Sequence, residues 1–190
     1  MLSQKAQSLK SSPTLALVAK AKELSAKGHD VISLTVGEPD WETYPAAAAA
    51  GIEAIQSGFT KYTAAQGTIE LRKAIGERIK ADLNLDYNPQ KEIAVTSGAK
   101  FAIFSALQVL CDPKDEVIIH SPYWVSYPTM AELAGATPRI VHCDETVNFK
   151  LTPENLEKNL NSQSKVFLFC SPSNPTGFVY SAAELRALAD

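Results

Sequence analysis

Five consecutive apolar residues, Val166-Phe167-Leu168-Phe169-Cys170, run without alternation straight into Ser171-Pro172-Ser173-Asn174-Pro175-Thr176-Gly177. A strand that is apolar at every position must be covered on both faces, as inside a parallel sheet; a hairpin with one wet side would alternate. The segment after it is stiff. Pro172 and Pro175 fix their own φ and push Ser171 and Asn174 toward extended backbone, and Gly177 allows a turn that residues with a Cβ resist. Ser181-Ala182-Ala183-Glu184 then shows the Ser-x-x-Glu pattern of a capping box that opens a helix. Asn174 is thereby placed on a rigid loop at the carboxyl end of a buried strand, where open α/β sheets take ligands. An Asn in such a loop also suits a plain turn.

The rest of the chain alternates in the same way. Helical patterns cover residues 15–27, ended by Gly28, and 45–56, where Pro45 opens an alanine-rich run. Further helices are predicted over 69–82, 101–110, 127–133, 153–160 and 182–190, and extended segments over 31–34, 93–96, 117–120 and 139–142. Strands and helices at this spacing predict a doubly wound sheet with helices on both faces.

Composition narrows the choice of partners. The 190 residues are 45% hydrophobic and 21% charged, ordinary for a globular chain. A net charge of −3 leaves no basic footprint for nucleic acid or an anionic membrane, and no apolar run reaches the length of a membrane span. The opening residues carry Lys5 and Lys10 among Ser and Gln, without the apolar stretch of a signal peptide. Cys111, Cys143 and Cys170 are odd in number, far apart and in or beside apolar segments, so we expect buried free thiols in a reducing cytoplasm. His29, His120 and His142 lack metal-ligand spacing, and no metal is expected.

Two other strand ends carry chemistry. Val95-Thr96-Ser97-Gly98-Ala99-Lys100 turns at a glycine and opens an amphipathic helix with Phe101, Phe104, Leu107 and Leu110 on one side. Free N–H groups at such a start form an anion site, to which Ser97 can add a hydroxyl and Lys100 a positive charge. The same residues also suit a simple small-residue cap. No Gly-x-Gly-x-x-Gly or Walker-type motif supports a nucleotide. After the strand over 117–120 comes Ser121-Pro122-Tyr123-Trp124-Val125-Ser126-Tyr127-Pro128, whose Trp124 can stack on a flat ligand ring or simply pack on a neighbour. A ligand with a phosphate, an aromatic ring and a polar ring substituent would satisfy all three strand ends.

Together with Val36-Gly37-Glu38-Pro39-Asp40 and Lys61-Tyr62-Thr63, these motifs resemble the N-terminal half of class I aminotransferases. The resemblance is strongest to the bacterial aspartate and aspartate/prephenate subgroup, and it extends over nearly all of the chain. Asn-Pro-Thr-Gly is shared by many class I and II transferases, whereas Pro-Tyr-Trp-Val-Ser-Tyr-Pro with the Gly-Glu-Pro-Asp loop is more specific. It implies an α/β fold of three αβα layers, the fold type I major domain of pyridoxal-phosphate-dependent transferases in truncated form. Residues 1–35 would be an N-terminal segment of the small domain and 36–190 a partial large, cofactor-binding domain.

The resemblance also implies roles. Ser97, Gly98 and Ala99 would hold the phosphate of pyridoxal 5'-phosphate, Trp124 would stack on its ring, and Asn174 would donate to the ring oxygen. Tyr62 would reach the phosphate in the neighbouring subunit of a homodimer. On the substrate side, Gly37 would let the backbone approach the carboxylate and Lys100 would recognise acidic side chains. Ser12 and Thr14 would lie in a mobile gating segment, and Trp124 and Asn174 would also border the substrate. The implied reaction moves an amino group from an amino acid, aspartate foremost, to a 2-oxo acid. A carbon–sulfur lyase on the same scaffold and a non-catalytic fragment or remnant are the alternatives. The family's cofactor-bonding lysine, its ring-nitrogen acid and its carboxylate-binding arginine fall, by the resemblance, beyond Asp190. No catalytic residue is therefore assigned within the chain. We expect a front portion that is inactive alone, poorly soluble or partly unfolded, and open at the sheet edge after Lys165.

Overall fold

The computed structural model describes residues 1–9 and 13–190, which divide into two compact units, 1–65 and 66–190. The first unit holds α1 (Gln4–Ser8), α2 (Pro13–Ala26) and α3 (Pro45–Gln56). The end of α2 is local chemistry: Gly28 takes φ 86°, and the N–H groups of Gly28 and His29 reach back to the carbonyls of Ser25 and Leu24. Pro45 occupies the first turn of α3, where its missing N–H costs nothing. The extended segment expected over 31–34 forms no strand; Ile32 and Leu34 are 86% and 92% exposed. A strand is a pairing, and apolar residues without a ladder partner do not make one.

The second unit opens with α4 (Ile69–Leu83), capped by the Thr68 side chain, which accepts from the Leu71 N–H, and ended by Asn84 in the left-handed region at φ 54°. There follow α5 (Gly98–Leu110), β1 (Glu116–Ser121), α6 (Ser126–Ala134), β2 (Thr137–His142), a 3-10 turn at Glu145–Val147, α7 (Pro153–Glu157), β3 (Ser164–Leu168) and α8 (Ala182–Ala189). The helix expected over 153–160 stops at Glu157, and the strand expected over 166–170 runs from Ser164 to Leu168. Residues 93–96 form no strand either. Val95 N–H instead makes a single bond to the Gln66 carbonyl at 2.9 Å. Gly67, at φ 92°, backs onto Val95 so closely that a Cβ there would lie 2.8 Å from the Val95 Cβ.

The three strands are parallel in the order β2-β1-β3. Glu116 to His120 of the central β1 are all buried, as in a strand covered on both faces, with Val117, Ile118 and Ile119 apolar at its centre. Its side chains alternate between two cores. Val117 and Ile119 join Leu107 of α5 and Tyr127, Met130 and Ala131 of α6. Ile118 joins Val141, Cys143, Leu151 and Leu156, with Phe167 of β3 and Leu188 of α8 against them. The unit is thus a three-layer αβα sandwich. Burying Val117, Ile118 and Ile119 stabilises it by about 1.5–3 kcal/mol apiece.

This layering positions the site. The chain leaves β1 for α6 on one face and leaves neighbouring β3 for α8 on the other. Two loops departing in opposite directions from adjacent carboxyl ends open a crevice, the switch point at which such sheets bind ligands.

Candidate cofactor site

At the start of α5, Ser97 is the N-cap residue but its side chain makes no cap hydrogen bond. Gly98 sits at φ 81° with nothing within 4 Å of where a Cβ would be, so the position favours glycine for its backbone angle and not for crowding. The Gly98 N–H bonds the Thr96 carbonyl at 2.8 Å, and Thr96 Oγ1 donates back to the Gly98 carbonyl at 3.0 Å. Ser97, Gly98, Ala99 and Lys100 are all exposed. A solvent-facing hydroxyl stands beside the positive end of a thirteen-residue helix, an arrangement suited to a phosphate.

Trp124 leans on the core through one side and stays half-exposed. The two readings of this residue, packing and ligand platform, are therefore compatible. The Tyr127 ring meets it edge-on, centroids 5.5 Å apart and planes at 88°. Lys100 Nζ lies 4.9 Å from the Trp124 ring centroid, which ties the start of α5 to the loop after β1. Burial, followed by the neighbouring Cys170 thiol, pushes the Tyr127 hydroxyl up to about 12, so it stays protonated.

The loop after β3 is held by its own backbone. Ser173 N–H bonds the Phe178 carbonyl at 2.9 Å, Gly177 N–H bonds the Ser173 carbonyl at 2.7 Å with Gly177 at φ 74°, and Tyr180 N–H reaches Ser171 Oγ at 3.3 Å. Both halves of the expected capping box form, Glu184 N–H to Ser181 Oγ and Ser181 N–H to Glu184 Oε2. The Ser181 backbone N–H, then Lys150, hold Glu184 at a pKa of about 2. Asn174 is exposed at the loop's turn. It shares a narrow cleft of about 10 Å³ with His120, Tyr123, Tyr127, Cys170 and Ser173.

The second unit therefore joins Lys100 to Trp124, Trp124 to Tyr127, and Tyr127 through the cleft to Asn174. Thr14, Gly37 and Tyr62 belong to the first unit. Thr14 is half-buried in α2, while Gly37 and Tyr62 are exposed. Ser12 lies outside the described residues. Cys111 and Cys143 are buried and free, as expected, and Cys170 is free and half-buried. Among the described residues no helix is long and apolar enough to cross a membrane.

A family model described as aminotransferase class I and II matches residues 29–190. The chain belongs to that family. Class I and II aminotransferases depend on pyridoxal phosphate, and the curated relatives agree with the subgroup expected from the motifs. The chain is 45% identical over 189 residues to aspartate aminotransferase of Bacillus subtilis, covering 100% of this chain and 48% of the relative. It is 48% identical over 182 residues to aspartate/prephenate aminotransferase of Cereibacter sphaeroides, covering 96% and 45%. Among solved structures, aspartate aminotransferase of Thermus thermophilus with maleate superposes with a TM-score of 0.94 at 41% identity, covering 100% of this chain and 49% of that one. The chain spans about half the length of the curated relatives it matches.

The structure adds residues to which the motifs assigned no role. Tyr127 follows Trp124 by three positions, so the first turn of α6 brings the rings together. His120, Phe169 and Tyr180 form a ring cluster under the Asn174 loop. His120 had a faint signal, a polar residue ending an apolar strand; the cluster itself had none.

Proposed function

We propose that this protein holds pyridoxal 5'-phosphate in the crevice of its second unit and serves amino-group transfer between an amino acid, aspartate foremost, and a 2-oxo acid. The observation that carries the reading is that an uncapped helix start, a half-exposed tryptophan and an exposed asparagine are linked in series, by Lys100 over Trp124, Trp124 against Tyr127 and the cleft shared by Tyr127 and Asn174. Ser97 and the helix start at Gly98 and Ala99 would hold the phosphate, Trp124 would offer its face to the ring, and Asn174 would donate its amide N–H to the ring oxygen. The cofactor, when bound, supplies an electron sink for charge developing at the substrate α-carbon. The chain's own residues bind, orient and shield. Tyr127, kept protonated, fixes the edge of Trp124 without competing for charge. No proton-transferring role is assigned to any residue of the chain.

The same proposal gives the substrate carboxylate a place at Gly37 and an acidic side chain a partner in Lys100, with Ser12 and Thr14 in a gating segment. Tyr62 then serves the phosphate of a second subunit in a homodimer, residues 1–35 belong to the small domain and 36–190 to the large one. Three free cysteines favour a cytoplasmic setting. Titration of the protein with pyridoxal phosphate, followed by absorbance and tryptophan fluorescence, tests the binding. Saturable binding lost in the S97A/N174A double variant is the expected result, and unchanged binding in that variant would sink the assignment. Assaying the whole protein with aspartate, glutamate and sulfur-bearing amino acids separates transamination from carbon–sulfur lysis.

A further inference from the structure

The loop that carries Asn174 begins directly after Phe169 and ends directly before Tyr180. These two stem residues pack against each other, ring centroids 4.9 Å apart at 69°. Both also rest on one imidazole from the central strand. His120 lies 5.9 Å from Phe169 at 41° and 6.2 Å from Tyr180 at 73°. Tyr180 is anchored below, since its hydroxyl oxygen accepts the Leu151 N–H at 2.6 Å. His120 is 4% exposed, its Nδ1 is buried without a hydrogen-bond partner, and the residue lines the same cleft as Asn174.

We propose that His120 is a positioning residue that clasps both stems of the Asn174 loop and so sets the geometry in which the asparagine meets its ligand. The inference rests on the cofactor reading for the ligand, though the clasp itself does not. The loop's internal hydrogen bonds shape it; Phe178 packs on Phe149 and Cys170 meets Tyr127, while the three-ring cluster ties both stems to the central strand. A neutral imidazole fills that role, whereas a charged one buried between two aromatic rings without a counter-ion does not.

Titratable groups around the imidazole come from each neighbouring element, Tyr127 on α6, Cys170 in the loop and Tyr180 after it, with Cys143 beyond β2 acting on Tyr180. Lys150 approaches the Tyr180 ring at 5.4 Å but is paired with Glu184 at 2.9 Å. Burial raises the pKa of Tyr127, Tyr180 and Cys143 and lowers that of His120, with the Ser121 backbone opposing only in part. The three rings are therefore uncharged at neutral pH, and His120 is the one that charges on acidification.

The test compares wild type with H120F and H120A by pyridoxal-phosphate titration from pH 5.5 to 8 and by hydrogen exchange of residues 170–180. Comparing variants at each pH cancels the ligand's own phosphate titration. H120F should retain the ring clasp, bind as wild type at pH 8 and lose less affinity than wild type below about pH 6.5. H120A should bind about tenfold more weakly at every pH, as expected if the competent loop falls to about a tenth of the population. Its 170–180 amides should exchange faster while those of α4 do not. An H120F profile as steep as wild type, or unchanged loop exchange in H120A, overturns the proposal. If H120A does not fold, the H120F profile decides. If wild type binds no pyridoxal phosphate, the cofactor reading fails, and loop exchange in H120F against wild type between pH 5.5 and 8 still decides the clasp.

Discussion

Trp124, Asn174 and His120 show three ways in which one side chain can matter to a site. Trp124 gives a broad apolar face with its edge already braced by Tyr127, so it loses little freedom when a ring lands on it. W124A should weaken pyridoxal-phosphate binding by about 0.5–1.5 kcal/mol beyond the lost area, a several-fold effect in a fluorescence-independent titration, and W124F should recover most of it. In the proposed site Asn174 would act through its amide donor, on a loop that already holds hydrogen bonds of its own. N174A should cost about 1 kcal/mol of cofactor affinity with little change in thermal midpoint, because the residue is exposed. His120 acts on stability through its charge. Its folded pKa is lowered by burial, so the unfolded chain binds the proton more readily. Stability is then complete above the ordinary histidine value and declines as pH falls through it. Thermal midpoints from pH 8 to 5 should fall less in H120F than in wild type.

At the scale of elements, local chemistry decides where helices start and stop. The α8 capping box depends on Glu184, whose folded pKa of about 2 lies below its ordinary 4.5. Its contribution is therefore present above pH 4.5 and is lost as pH falls toward 2, a decline that E184Q should not show in acid titrations of helicity. The turn ahead of α4 is decided by crowding as well as angle. Gly67 combines φ 92° with a would-be Cβ 2.8 Å from Val95, so G67A should lower the urea midpoint by about 1–3 kcal/mol equivalent. Gly98 has the same positive φ with open space around it; alanine there meets angle strain alone. Most of these features were legible in advance. The Ser-x-x-Glu box, Pro45, Gly28 and the apolar periodicities marked helix ends to within a few residues, because caps and backbone angles act over one turn of chain.

For the whole molecule, protection should follow burial. In the second unit β1 is buried at five successive residues between two cores, while α3 in the first unit buries none of its residues. Amide exchange should be slowest in residues 117–120 and far faster in 45–56; equal rates would mean that the sheet is not the stability centre. The layer order and the parallel sheet could be read from an unalternating strand and the alternation of strand and helix. The strand expected over 93–96 does not form, and the extended segment over 31–34 pairs with nothing among the described residues, since strand formation depends on a ladder partner that no local pattern names. Alone, the sequence determined the helices, most of their caps and the turn chemistry of the loop over 171–177, all set by interactions between near neighbours. Tertiary structure decided which apolar segments became strands and that Lys100 meets Trp124. It also decided that His120 joins Phe169 and Tyr180 beneath Asn174. Such contacts link residues far apart in the chain, and only the stacking of α5, α6, the sheet and α8 brings them within reach.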